Sequence, residues 1–308
     1  MKYLPFFLLF LPVLLFGQTN SHFKKADSLA DQKKFQEALV EIDLAIREDS
    51  LLAQYHLRKF SYLLALERYE DALRGISLAM EWMPDSAHLY DARGVLFEAS
   101  QYYDEAIEDF TQASRHAENP EEKAHFLMNR GGVKAKVRDF QGAYQDLNYA
   151  YKLDSTNIDV LNNLATVCDE IGQKNLAIRY LESILEIDPK YLPAYVNLGF
   201  AYQAEDNHKK AILYFNKAIE LDPNEALGYS NRSFSKLKTG DLNGAMEDID
   251  RSIELFPTNS YAYKVRALIK IERGHTKPAC EDLQKALELG YTRSYGNEVL
   301  ELMKQYCK

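Results

Sequence analysis

The chain has 308 residues, a formal net charge of −9, 46% hydrophobic residues, and only 14 Gly and 9 Pro. That apolar share excludes a disordered chain, and the scarcity of Gly and Pro permits long helices. Net acidity without any run of Lys or Arg excludes nucleic acid as the expected partner, because phosphates would be repelled.

The first element is apolar. After Lys2, Leu4 to Phe16 carries no charge, and Gly17-Gln18 follows. This pattern predicts a secretory signal peptide over 1–18, cut near Gly17 or Gln18. A helix over that stretch spans ~20 Å, short of the ~30 Å hydrocarbon core. Pro5 and Pro12 also disfavour a membrane span, so an uncleaved anchor is the weaker alternative. The mature chain is expected to be exported, periplasmic or secreted, with no membrane insertion.

Beyond residue 18 the chain repeats itself. Ala38, Ala72, Ala106, Ala143, Ala177, Ala211, Ala245 and Ala279 follow one another at 34 residues, except for one step of 37. That longer step contains Asn119-Pro120, which predicts a loop. Four residues after each anchor stand Ile42, Ile76, Phe110, Leu147, Leu181, Phe215, Ile249 and Leu283; seven after, most positions are Ala. Both offsets share a helical face with the anchor. Pro84, Pro189, Pro223 and Pro257 then end that helix. A second helix precedes each anchor. Twelve residues upstream lie Ala26, Phe60, Gly94, Gly131, Ala165, Gly199, Ser233 and Ala267, nearly all small, and expected to face the anchor Ala so that two antiparallel helices approach closely. Sixteen upstream the residues are large, as at Tyr90, Leu161 and Tyr229. Each unit therefore reads as a helix hairpin, over about 19–52, 53–86, 87–120, 124–157, 158–191, 192–225, 226–259 and 260–290. Residues 291–308 are expected to form a C-terminal cap, with a helix over Asn297–Tyr306 packing through Val299, Leu300, Leu302, Met303 and Tyr306.

These positions resemble the tetratricopeptide repeat, over about residues 19–290. The resemblance implies an all-α fold: an α-solenoid of eight hairpins wound as a right-handed superhelix, its first helices lining a concave groove that binds other proteins. Three features depart from the family pattern. Lys134, Lys236 and Lys270 stand where a large residue is usual, Phe60 replaces a small one, and Glu118 and Ser155 replace the terminal Pro.

Comparing the units with one another predicts ion pairs. Thirteen before and three after the anchor stand Arg93 with Asp109, Arg130 with Asp146, Arg232 with Asp248, and Arg266 with Asp282. Lys25 matches Glu41, Leu164 and Leu198 match Tyr180 and Tyr214, and only Lys59, opposite Gly75, lacks a counterpart. The pairs are expected to bridge the two helices of a hairpin; unrelated surface charges are the alternative.

For the groove, Asn129, Asn163, Asn197 and Asn231 occupy one position in four consecutive units. Asn offers a donor and an acceptor, so it can hold a peptide backbone without reading its sequence. The array resembles the asparagine ladders by which some tetratricopeptide superhelices hold extended peptides; alternatively the Asn residues serve the fold. Met128, Thr166, Asp169, Phe200, Gln203 and Phe234 are further groove candidates, with Phe200 and Phe234 as an apolar shelf.

No His pair has metal spacing, and no phosphate loop or nucleophile elbow is present, so neither catalysis nor a metal or cofactor is expected. Cys168 reads as core. Cys280 and Cys307 would form a disulfide if the cap folds back, or stay reduced if it does not. The expected function is a scaffold holding an extended segment of a protein partner. The alternatives are a subunit of an envelope complex that uses its convex face or edges, and a ligand-sensing accessory protein.

Overall fold

The computed structural model describes residues 20–307, so the signal-peptide reading of 1–18 lies outside the described residues. The described residues are helical throughout, without a strand. Two compact halves divide after Ile171. The N-terminal half holds α1 (Ser21–Asp31), α2 (Phe35–Glu48), α3 (Ala53–Ala65), α4 (Tyr69–Trp82), α5 (Ala87–Ala99), α6 (Tyr103–His116), α7 (Pro120–Lys136), α8 (Phe140–Leu153) and α9 (Ile158–Glu170). The C-terminal half holds α10 (Lys174–Ile187), α11 (Leu192–Ala204), α12 (His208–Leu221), α13 (Ala226–Lys238), α14 (Leu242–Leu255), α15 (Ser260–Glu272), α16 (Thr276–Glu288), α17 (Tyr291–Tyr295) and α18 (Glu298–Tyr306).

Within each half, successive helices pair as antiparallel hairpins: α1 with α2, α3 with α4, α5 with α6 and α7 with α8, then α11 with α12, α13 with α14 and α15 with α16. The first helices of neighbouring hairpins also touch, α3 with α5, α5 with α7 and α7 with α9 in one half, and α11 with α13 and α13 with α15 in the other. They form a continuous first-helix face in each half. A hairpin cannot cover its own apolar side, so its stability depends on such stacking. The anchor alanines and the residues four and seven places after them form the buried seam of every hairpin.

The small residue upstream has a second neighbour besides the anchor. A Cβ on Gly94 would lie 2.9 Å from the Phe110 ring, one on Gly131 2.9 Å from Leu147, and one on Gly199 2.4 Å from Phe215. The small residue therefore makes room for the large side chain one turn beyond the anchor and also faces the anchor, a Cβ on Gly131 lying 3.3 Å from the Ala143 carbonyl oxygen. Ser233 adds a polar version of the close approach, its hydroxyl donating to the Ala245 carbonyl at 2.7 Å. In the second hairpin Phe60 fills this place, and a cleft of about 90 Å³ remains between α3 and α4, lined by Phe60, Ala72, Gly75, Ile76 and Trp82.

The loop marked by Asn119-Pro120 stands at residues 117–119, but the added length goes into the helix that follows. It extends α7 to 17 residues, with Pro120 at its first turn and Asn119 as its cap, accepting from the Glu122 amide at 2.8 Å. Proline suits this position, where its missing N–H would have had no partner in the helix.

One backbone device recurs at every hairpin turn, five residues before the anchor. Lys33, Glu67, Gln101, Arg138 and Asp206 have φ between 56° and 66°, and Gly172, Gly240 and Gly274 have φ of 77° to 86°. The following amide reaches back to close the first helix, as Tyr102 N–H to the Phe97 carbonyl at 2.8 Å and His275 N–H to that of Lys270 at 2.8 Å. This left-handed stop satisfies carbonyls that the helix end leaves open. All four such turns in the N-terminal half use a side-chain-bearing residue, against one of four in the C-terminal half.

Candidate functional site

The bridging charges assemble as bidentate pairs. Arg93 donates to both Asp109 oxygens at 2.8 and 2.7 Å. Arg130 meets Asp146, Arg232 meets Asp248, and Arg266 meets Asp282 with the same fork geometry. The four aspartates are buried. Burial pushes the Asp109 carboxyl up more than Arg93 pulls it down, while the same hydrogen bonds hold Arg93 even more firmly charged. Desolvation thus offsets much of the attraction, and the pairs contribute chiefly by penalising any arrangement that separates them. The lysines that depart from the family pattern join these pairs: Lys134 to Asp146 at 2.8 Å, Lys236 to Asp248 at 2.9 Å and Lys270 to Asp282 at 2.6 Å. Lys25 pairs with Glu41 at 2.7 Å. Lys59 finds its carboxylate one hairpin back, at Asp43, 2.7 Å away. Of the Leu–Tyr pair that replaces the charges in the sixth hairpin, Leu198 is buried and Tyr214 stacks on Tyr202 with ring centroids 5.4 Å apart.

The first-helix face of the N-terminal half is polar and largely self-satisfied. Tyr62 donates to Asp27 at 2.7 Å, and Arg58 reaches the same carboxylate at 3.3 Å. Asn129 donates to Asp91 at 2.9 Å and sits 3.3 Å from His125. His125 lies 3.5 Å from Asp91, which raises its pKa through hydrogen bonding against the opposing effect of burial. Lys136 pairs with Glu98 at 2.7 Å. Asn129 is therefore occupied in joining α5 to α7. Asn163 has no hydrogen-bond partner among the described residues and is half-buried, Met128 is half-buried, and Thr166 and Asp169 are exposed. The His125–Asp91 contact escaped the sequence reading because its residues occupy different repeat positions in neighbouring units.

The face of the C-terminal half is apolar and aromatic. Phe200 is 41% exposed and Leu227 45%, with Phe200 edge-on to buried Phe215 at 5.8 Å. Phe234 stands between the His208 ring, 5.8 Å away, and Tyr261, 6.4 Å away. Asn197 is half-buried and has no hydrogen-bond partner among the described residues. Asn231 does not fit the ladder: it is 5% exposed, and its amide donates to the Leu227 carbonyl of its own helix at 2.7 Å. Gln203 is likewise occupied, donating to the Asn231 carbonyl and to Ser235 Oγ, both at 2.8 Å. The reason is common to both: where α11 and α13 pack together, a polar side chain must satisfy buried groups before it can offer anything outward.

The C-terminal segment closes this half. Cys280 and Cys307 are joined by a disulfide that ties the end of α18 to α16. Tyr291, Val299 and partly buried Leu302 and Met303 cover the apolar end around Ala279, Leu283 and Ala286. Leu300, expected to pack there, is 38% exposed. Lys264 is 5% exposed and pairs with Glu298 at 2.9 Å, and Tyr291 donates to the same carboxylate at 3.0 Å. Cys168 is buried, which pushes its thiol up to about 11 and keeps it unreactive. Among the described residues, no group of three His, Cys, Asp or Glu side chains could hold a metal ion.

Comparison with known proteins places this architecture. The tetratricopeptide repeat family's sequence profiles match residues 158–191 and 193–225. Human DnaJ homolog subfamily C member 7 is 23% identical over 217 residues, covering 63% of this chain and 44% of its own length. The DnaJ protein P58IPK homolog of Arabidopsis thaliana is 24% identical over 185 residues, covering 55% and 37%. The chain thus spans less than half the length of these curated relatives. A tetratricopeptide repeat protein from Parabacteroides merdae aligns with a TM-score of 0.64 at 20% identity, over 82% of this chain and 98% of that one. YrrB, described as a TPR protein with an unusual peptide-binding site, aligns with a TM-score of 0.52 at 24% identity, over 61% and 95%. With its 34-residue period, its helix hairpins and these matches, the chain is a tetratricopeptide repeat protein, an all-α solenoid of the kind that serves as a protein-interaction scaffold.

Proposed function

We propose that this protein is an exported, non-catalytic scaffold that holds an extended segment of a partner polypeptide on the first-helix face of its C-terminal half. The observation that carries the reading is the exposure of Phe200, on the same helix as Asn197, and of Leu227 on the next first helix. Exposed apolar side chains next to a free amide suit a peptide that offers side chains and a backbone at once. The N-terminal face supports this less well, because its Asn129, Asp91 and Asp27 already bond to one another's hairpins. Asn163 and Asn197 remain the two ladder residues able to meet a backbone. Export follows from the apolar leader with its short basic start.

A second reading has its own observation. Val40 and Leu78, 59% and 46% exposed, lie on the second helices α2 and α4 and border one cleft, and Trp82 beside Leu78 is 47% exposed. A subunit of a larger complex would bury such a patch. A photo-crosslinking residue placed at 200 or at 78 in intact cells separates the two. Crosslinks to another polypeptide from position 200 support peptide capture. Crosslinks from position 78 alone would replace it with the assembly reading.

A further inference from the structure

We propose that Lys238 and Phe234 form a receptor for an acidic side chain of the bound segment; this rests on the reading that the C-terminal first-helix face holds a peptide. Phe234 lies between two lysines, with Lys264 Nζ 5.3 Å and Lys238 Nζ 5.4 Å from its ring centroid. The two lysines differ in one respect. Lys264 is buried, also lies 5.6 Å from the Tyr261 ring, and carries the Glu298 carboxylate of the chain's own C-terminal segment at 2.9 Å. Lys238, in the last turn of α13, is exposed and has no carboxylate partner among the described residues.

Glu298 on Lys264 thus shows what this arrangement accepts: a carboxylate against a lysine whose ammonium lies beside an aromatic ring. An ammonium over a ring face is held in place before any anion arrives, which lowers the ordering cost of pairing. Phe200 occupies on α11 the repeat position that Phe234 occupies on α13, the two helices touch, and Phe200 is exposed. A segment with an aromatic or aliphatic residue close to an Asp or Glu satisfies both features, the apolar side chain on Phe200 and the carboxylate on Lys238. Lys264 is already neutralised by Glu298, which leaves Lys238 as the ammonium at this ring open to a second carboxylate.

The test uses a displayed library of random linear twelve-residue segments, selected on the purified protein and on its Lys238→Gln and Phe200→Ala variants. Segments enriched on the unmodified protein are expected to carry Asp or Glu beside Phe or Leu about two- to fivefold above the library frequency, the range of one exposed ion pair. The acidic preference should fall to background on Lys238→Gln and weaken in high salt, while the apolar preference persists. The apolar preference should fall on Phe200→Ala. Apolar enrichment without acidic bias, or an acidic bias that survives Lys238→Gln, overturns the role of Lys238 and leaves peptide capture standing. Absence of any enrichment that depends on Phe200 overturns peptide capture and the acidic receptor together.

Discussion

The two halves are built from the same hairpin, yet their first-helix faces have opposite characters. In the N-terminal half, Asp27 with Arg58 and Tyr62, Asp91 with Asn129 and His125, and Glu98 with Lys136 tie neighbouring hairpins together across the face. In the C-terminal half, Phe200 and Leu227 stand exposed, Lys238 has no carboxylate partner among the described residues, and the polar residues Asn231 and Gln203 turn inward. The same positions can therefore serve either the array or a ligand. A polar group that bonds to the next hairpin stabilises the stack, and one left without a partner is free to meet another chain. The ends of the described array differ too: α18 is fastened covalently, whereas the side-chain bonds shown for α1 at Asn20 and His22 are non-covalent.

Four measurements would break or sharpen this contrast. The largest effect is expected from the disulfide. Cys307→Ser should cost about 3–4 kcal/mol, from the loop it closes, and hydrogen exchange should accelerate in α16–α18 alone. Acceleration that spreads into α3–α6 would show that the halves are not separately stabilised. Asp146→Ala comes next. It leaves Arg130 and Lys134 without their shared carboxylate, and should cost about 2–4 kcal/mol, below the fully buried limit because Arg130 keeps some access to water. An unchanged thermal midpoint would show that the pair contributes nothing.

The turn residues allow a change of opposite sign. Gln101→Gly removes the strain of a Cβ at φ 65° and should stabilise the N-terminal half by about 0.5–1 kcal/mol, after the extra freedom of Gly in the unfolded chain is subtracted. The corresponding gain in the C-terminal half is open only at Asp206, its other turns already being Gly. A Gln101→Gly variant melting below the parent would contradict this. The smallest effect is electrostatic. Because Asp91 raises the pKa of His125, the contact stabilises the fold fully below the unfolded pKa of about 6.5, and that contribution is lost as pH rises through the higher folded value. The His125 side chain is half-exposed, so only about 0.2–0.5 kcal/mol is expected. The melting difference between the parent and His125→Gln should shrink from pH 5.5 to about pH 8; a difference independent of pH would discount the pair.

Much of this protein was legible before any coordinates, for a definite reason. A 34-residue period imposes the same neighbours on the same positions eight times, so Ala38 or Phe110 announces its burial by recurrence alone, and Arg93 announces Asp109 by co-occurrence. The lysines at 134, 236 and 270 carried the same signal, since each occurs with an Asp at the paired position. Contacts between hairpins were not legible in this way. They join different repeat positions, as Asn129 with Asp91 or Lys59 with Asp43, and recurrence says nothing about which polar group will find a partner. The left-handed turns were hidden for a related reason, because five of the eight are held by residues other than Gly.

What the amino-acid order decided alone was the unit: its length, its two helices, its seam of small and large residues and its bridging charges, all of them local or nearly local in the chain. Tertiary packing decided which of the four equivalent asparagines stayed free, where Glu298 came to rest on Lys264, and that Cys307 reached Cys280. Those outcomes depend on distances between separate hairpins, and such distances are set only when the stack has formed.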